Sequence, residues 1–171
     1  NNPVIGLRSF GEDPDAVAEK GIAYARGLEG AGVISFAKHF PGHGDTSDDS
    51  HHTLPVIRRS MNLLDSVELV PFRKYINGRF AGIMTGHLYV PVLDRTENRA
   101  VSMSKPVITD FLKTELGFTG LCITDALAMK GATPDNEQSA SVEALLAGND
   151  IALAPLSLAK DLEAVKKAVK D

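Results

Sequence analysis

Gly32-Val33-Ile34-Ser35-Phe36-Ala37-Lys38-His39-Phe40-Pro41-Gly42-His43-Gly44-Asp45-Thr46-Ser47-Asp48-Asp49-Ser50-His51-His52-Thr53-Leu54-Pro55 reads in two halves. The first, through Ala37, is an apolar run with the length and composition of a buried strand at 33–37. The second is a polar loop that holds four of the five histidines, His39, His43, His51 and His52, beside three aspartates. Pro41, Gly42 and Gly44 break any helix there, because proline lacks a backbone donor and glycine costs backbone entropy. Titratable side chains crowded onto a loop at a strand end are costly unless water, a ligand or a reaction uses them. A buried strand that opens into such a loop marks the candidate active site and points to an α/β fold.

The same grammar repeats on both sides. Upstream, Asp13-Pro14 has the form of a helix start, with Asp at the cap and Pro in the first turn. Ala16, Val17, Ile22, Ala23 and Leu28 follow at helical spacing, and Gly30-Ala31-Gly32 ends the segment. Downstream, the spacing predicts an amphipathic helix over 63–76, with Pro71 near its start or kinking it. A second buried strand is predicted at 80–85, ending at Gly86-His87. A helix opens at Lys105-Pro106 and runs through Val107, Ile108, Phe111 and Leu112. A third strand at 120–124 delivers Asp125. A helix at 139–147, a fourth strand at 151–154 and a last helix at 158–169 complete the chain. Continuous apolar strands alternating with helices predict a parallel sheet, with about four βα repeats and polar residues gathered after the strands' carboxyl ends. A (β/α)₈ barrel takes about 250 residues. With 171 residues, the chain is expected to be either a smaller doubly wound fold or the latter part of a barrel.

Composition narrows the function classes. The net charge of −4 provides no broad basic surface, so nucleic acid is not an expected partner. No apolar run approaches the ~20 residues of a membrane span. The single cysteine, Cys122, excludes a disulfide framework. The chain opens at Asn1 without methionine or a signal-like segment, which leads to the expectation of a fragment or a processed product.

Three features carry chemistry, each beside a plainer reading. Asp125, directly after an apolar strand, is aimed at the mouth of the sheet as nucleophile, base or metal ligand, or else caps a helix beginning at Ala126. Asp49-Ser50-His51 places a carboxylate two residues from an imidazole, whose tautomer it can fix and whose pKa it can raise; the alternative is a solvated loop. His39, His43, His51 and the aspartates are also common metal ligands, although Pro41-Gly42 keeps His39 and His43 off a shared helix face. Arg8 and Lys38 could hold a sugar, phosphate or carboxylate, and they and His87 could equally be surface groups.

Lys38-His39-Phe40-Pro41-Gly42-His43-Gly44, Asp49-Ser50-His51 and Leu54-Pro55 together resemble the family 3 glycoside hydrolases, in their bacterial β-N-acetylglucosaminidase branch. Arg8-Ser9-Phe10-Gly11, Met84-Thr85-Gly86-His87 and Ile123-Thr124-Asp125-Ala126 occur in that family's order, so the resemblance covers nearly the whole chain. It implies a TIM-type (β/α)₈ barrel, present over 1–171 as its latter part from roughly the third strand, with a preceding barrel segment expected. It implies retaining hydrolysis of terminal β-linked N-acetylglucosamine, with muropeptides of peptidoglycan recycling as substrates and no metal or organic cofactor. Under it Asp125 is the nucleophile, His51 the acid/base and Asp49 its support, while Arg8, Lys38 and His39 bind the sugar. A histidine acid/base departs from the usual carboxylate pair of glycosidases. The resemblance leaves the compartment open between bacterial cytoplasm and periplasm. The alternative is a sugar-binding fragment of such an enzyme, inactive by truncation.

Overall fold

The computed structural model describes residues 5–44, 46, 54–133 and 139–170. Helix α1 (Pro14–Gly30) starts where the Asp13-Pro14 signal places it: the Asp13 carboxylate accepts the Ala16 N–H at 2.7 Å. Three parallel strands follow along the chain, β1 (Phe36–Phe40), β2 (Gly82–Thr85) and β3 (Leu121–Thr124), paired in that order. Short α2 (Met61–Leu63) and α3 (Leu69–Asn77) lie between β1 and β2, and a helix over Pro106–Glu115 joins β2 to β3. Helices α4 (Ala140–Ala147) and α5 (Leu158–Ala168) close the order. No helix among the described residues is long and apolar enough to cross a membrane.

Two expectations change. The apolar run is not itself the strand: Val33 and Ile34 are half-exposed, and the ladder begins at Phe36 and runs on through Lys38 and His39 to Phe40. The reason lies in the preceding helix, whose Leu28 carbonyl takes the Val33 N–H, so that residues 33–34 serve the helix exit. His39 thus stands at the end of a strand rather than on a loop. Pro71 lies in the first turn of α3, near a helix start as expected, and the helical turn just before it is widened over Leu64–Glu68, where the Leu69 N–H reaches back to the Leu64 carbonyl. A wide turn there accommodates a residue with no N–H to give and a ring that crowds the carbonyl four residues back. The fourth strand, expected at 151–154, is reduced to a single parallel bridge between Ile151 and Ile123. The Leu153 N–H goes to the Thr124 hydroxyl instead of a backbone carbonyl, and Ala154 turns to φ +45° ahead of Pro155, so the ladder stops.

The core fills the space between sheet and helices. Phe40 is fully buried and meets Phe72 of α3 edge-to-face, ring centroids 5.3 Å apart, with Phe111 on another side. Ile83 of β2, Leu64, Leu69, Leu88, Ile108 and Leu112 are likewise sealed. Each such side chain contributes roughly 1.5–3 kcal/mol of burial, which fixes the sheet against its helices. Cys122, midway along β3, belongs to the same core, and burial pushes its thiol up to about 12.

Helix α4 ends as its sequence predicts, at Gly148, with φ +110°. A Cβ there would fall 2.5 Å from the Thr109 hydroxyl oxygen, which donates to the Ala147 carbonyl. Gly148→Ala combines backbone strain with a collision, and we expect a loss of roughly 1–3 kcal/mol. A lower midpoint in urea-induced unfolding measures it; an unchanged midpoint would show that the Thr109 side chain yields freely.

Candidate active site

The parallel register sets Thr85 of β2 level with Thr124 of β3. Asp125 follows immediately, and its backbone N–H is held by the Thr85 carbonyl at 2.9 Å. No helix begins at Ala126, so Asp125 is not a helix cap; its Oδ1 accepts the Ala126 N–H at 2.8 Å. Its other oxygen, Oδ2, lies 3.6 Å from His39 Nε2 at the end of β1. That is longer than a hydrogen bond. Residues from the carboxyl ends of two different strands therefore converge on one point, with β2 between them.

His39 is buried, and its imidazole is held well below the ordinary histidine value, from 6.5 to about 4. Burial is the largest cause; the charges of Lys38, His43 and Arg8 act in the same direction, while Asp125 opposes them. His39 is thus neutral near pH 7, and its contact with Asp125 is dipolar rather than an ion pair. The charges of Arg8 and Lys38 are felt at His39, although both side chains are exposed. Arg8 lies on the short turn Gly6–Arg8. Of the expected site residues, His39 and Asp125 are brought together by direct approach. Asp49 and His51 lie outside the described residues. Among the described residues no three His, Cys, Asp or Glu side chains converge as metal ligands.

The surrounding shell was only partly legible. His43 turns back on the site: its Nδ1 pairs with the Thr46 hydroxyl at 2.7 Å, and its ring meets His39 edge-on at 5.7 Å. Gly42 packs so closely on α3's leading turn that a Cβ would lie 2.8 Å from Glu68 Cβ, and Glu68 in turn bonds Arg59 at 3.1 Å. Sequence reasoning gave no role to Ser102 or Asn149, and quoted Thr85 only within the Met84-Thr85-Gly86-His87 motif. Asn149 accepts the Thr85 hydroxyl at 2.9 Å and donates to the Ser102 and Ala144 carbonyls at 2.8 Å each. Polar residues at the ends of otherwise apolar strands, Thr85 and Thr124, were the available signal. His87 is no surface group: it is fully buried, between the Ser102 hydroxyl and the Ala126 carbonyl.

The depressed His39 value has a consequence for folding. Unfolded chains bind a proton at His39 near 6.5, folded ones only near 4, so protonation favours unfolding between those values. The contribution is complete above pH 6.5 and is lost as the pH falls toward 4, to a total on the order of 3 kcal/mol. Urea midpoints measured from pH 7 to pH 4 should fall, and His39→Gln should flatten that slope. A parallel slope in the variant would assign the acid sensitivity to other groups.

Comparison with known proteins gives the family. The sequence description of the glycosyl hydrolase family 3 N-terminal domain matches residues 1–171. The beta-hexosaminidase A of Pseudoalteromonas piscicida is 41% identical over 92% of this chain, and a beta-hexosaminidase of Neisseria meningitidis serogroup C is 39% identical over 77% of it. A family 3 β-N-acetylglucosaminidase structure from Paenibacillus sp. str. FPU-7 superposes with a TM-score of 0.92 at 38% identity, covering 99% of this chain. The chain spans 28%, 36% and 33% of those three proteins respectively. With its motifs in the family's order and its strand ends converging on Asp125, the chain belongs to glycosyl hydrolase family 3 through that family's N-terminal domain.

Proposed function

We propose that this chain carries the nucleophile, acid/base and sugar-binding residues of a retaining β-N-acetylhexosaminidase acting on terminal β-linked N-acetylglucosamine. The observation that carries the reading is the Asp125 carboxylate, with one oxygen held by a backbone N–H and the other turned toward a buried, neutral His39. A nucleophile in this chemistry must be ionised, fixed and accessible from the mouth of the sheet. Asp125 Oδ2 attacks the anomeric carbon, and the bond to the leaving oxygen breaks as His51 gives that oxygen its proton. Water then attacks the glycosyl–Asp125 ester, His51 takes the water's proton, and the anomeric configuration is retained. Asp49 orients the His51 ring and favours its charged form. Arg8, Lys38 and His39 hold the sugar; Arg8 and Lys38 offer charged donors, and the neutral His39 does not compete with the sugar for Asp125.

The three-stranded parallel sheet is read as an arc of a (β/α)₈ barrel, with residues 1–171 as the part that presents these side chains. Support comes from the strand order, from the site at the strands' carboxyl ends and from the family relatives. Muropeptides released in peptidoglycan turnover are the proposed natural substrates, which makes carbohydrate the partner of the site. A second reading, sugar binding without turnover, is favoured by the small share of its relatives that the chain spans. Turnover of a chromogenic N-acetylglucosaminide by the 171-residue chain beside a longer form distinguishes the two.

A positioned acid contributes about 10²–10⁴-fold, and most where the leaving group is poor. His51→Ala is therefore expected to depress glycosylation steeply for sugar leaving groups and mildly for acidic phenols, with Asp49→Ala following the same trend more weakly. Rates plotted against leaving-group pKa give the measurement. An equal loss across all substrates, or a product of inverted configuration, would sink the assignment.

A further inference from the structure

We infer that His87 is a positioning residue for Asp125, holding residue 126 so that the backbone occupies Oδ1 and Oδ2 is the oxygen that attacks. The inference rests on the reading of Asp125 as nucleophile and adds to it which atom reacts and what aims that atom.

His87 stands two residues beyond β2 and is completely buried. Its Nε2 lies 3.0 Å from the Ala126 carbonyl oxygen. A carbonyl can only accept, so Nε2 carries a proton and donates it. Its Nδ1 is paired at 2.8 Å with the hydroxyl of Ser102, another fully buried residue. The ring is thus fixed through both nitrogens, and a fixed ring holds the carbonyl it bonds.

The two residues of the Asp125–Ala126 turn are gripped from opposite ends. Thr85 takes the Asp125 N–H, and His87 donates to the Ala126 carbonyl. The grips share a foundation. Asn149 binds the Thr85 hydroxyl through its oxygen and the Ser102 carbonyl through its nitrogen, so both sides lean on one buried amide. Between them the Ala126 N–H has a set direction, and it meets Asp125 Oδ1 at 2.8 Å. A carboxylate bound through one oxygen cannot rotate freely about its terminal bond. Oδ2 is thereby directed to the side where His39 lies, 3.6 Å away.

The same arrangement explains the choice of an imidazole. An aliphatic residue of similar volume would fill the space but leave the Ala126 carbonyl with the Met129 N–H alone, at 3.0 Å, and remove the imidazole partner of the buried Ser102 hydroxyl, so residue 126 would be held less firmly. A small misplacement of a reacting atom can cost about 10²-fold in rate while the sugar, bound elsewhere in the site, is held as before.

The test uses the complete protein, as parent, His87→Leu, His87→Gln and Ser102→Ala. Each is reacted with a slow fluorinated N-acetylglucosaminyl donor, the adduct is located by peptide mass mapping, and the labelling rate at saturating donor is measured. Affinity for free N-acetylglucosamine is measured by calorimetry. His87→Leu is expected to label about 10²-fold more slowly with sugar affinity unchanged. His87→Gln, whose amide N–H can still reach the Ala126 carbonyl, should recover much of the rate, and Ser102→Ala should fall between. Labelling of His87→Leu at the parent's rate would overturn the inference, as would rate and affinity falling together, or Gln performing no better than Leu. If His87→Leu loses its cooperative unfolding transition, Ser102→Ala, which removes one oxygen, decides by the same criteria. Labelling of the parent away from Asp125 would overturn the nucleophile reading itself, a failure visible before any variant is compared.

Discussion

The register between β2 and β3 is the constraint on which the site depends. Setting Thr85 level with Thr124 puts a carbonyl where the Asp125 N–H needs it, and puts the Thr85 hydroxyl where Asn149 can bind it. Parallel pairing delivers every strand's carboxyl end to the same side, so residues far apart in sequence share one edge of the sheet. A one-residue slip of β3 would turn Thr124 to the other face and take the Asp125 N–H away from the Thr85 carbonyl. Apolar residues below the threonines oppose such a slip: Ile83 and Cys122 pair directly and are sealed from solvent.

Electrostatics at this edge follow from the packing. Phe40 fits between Phe72 and Phe111, and His39, its neighbour in β1, is drawn into low-dielectric surroundings beside two cationic side chains. A protonated imidazole there would lose hydration and face Lys38 and Arg8; a neutral one loses little. Burial at the end of β1 therefore sets the charge state of the residue that faces Asp125. Asp125 opposes this effect without reversing it.

The general architecture was legible from apolar periodicity and from the punctuation of Asp13-Pro14 and Gly148. Asp125 was legible as a candidate because a carboxylate directly after four buried-type residues stands at a strand's carboxyl end, although position alone left a helix cap open beside chemistry. The errors share a cause as well. Residues 33–34 looked like strand because composition cannot report that Leu28 still requires an N–H from Val33. Residues 151–154 looked like strand because composition cannot report that a threonine hydroxyl will take an N–H that a ladder needs. The roles of Thr85, Ser102 and Asn149 were hidden because their partners lie tens of residues away, and a single polar residue carries no periodicity. The family resemblance supplied roles for Asp49 and His51 that the tripeptide alone left open between chemistry and solvation.

Cys122 equips the sheet with a gauge of its own opening. The only thiol in the chain sits midway along β3, fully buried, with its proton held up to about 12. At neutral pH the thiol stays protonated while β3 is paired, whereas a few per cent of an ordinary exposed cysteine is ionised. Alkylating reagents therefore meet a reactive sulfur only in molecules whose β3 has parted from its neighbours. The pace of thiol modification counts those openings, and it does so one residue-triplet away from the carboxylate that the same strand presents.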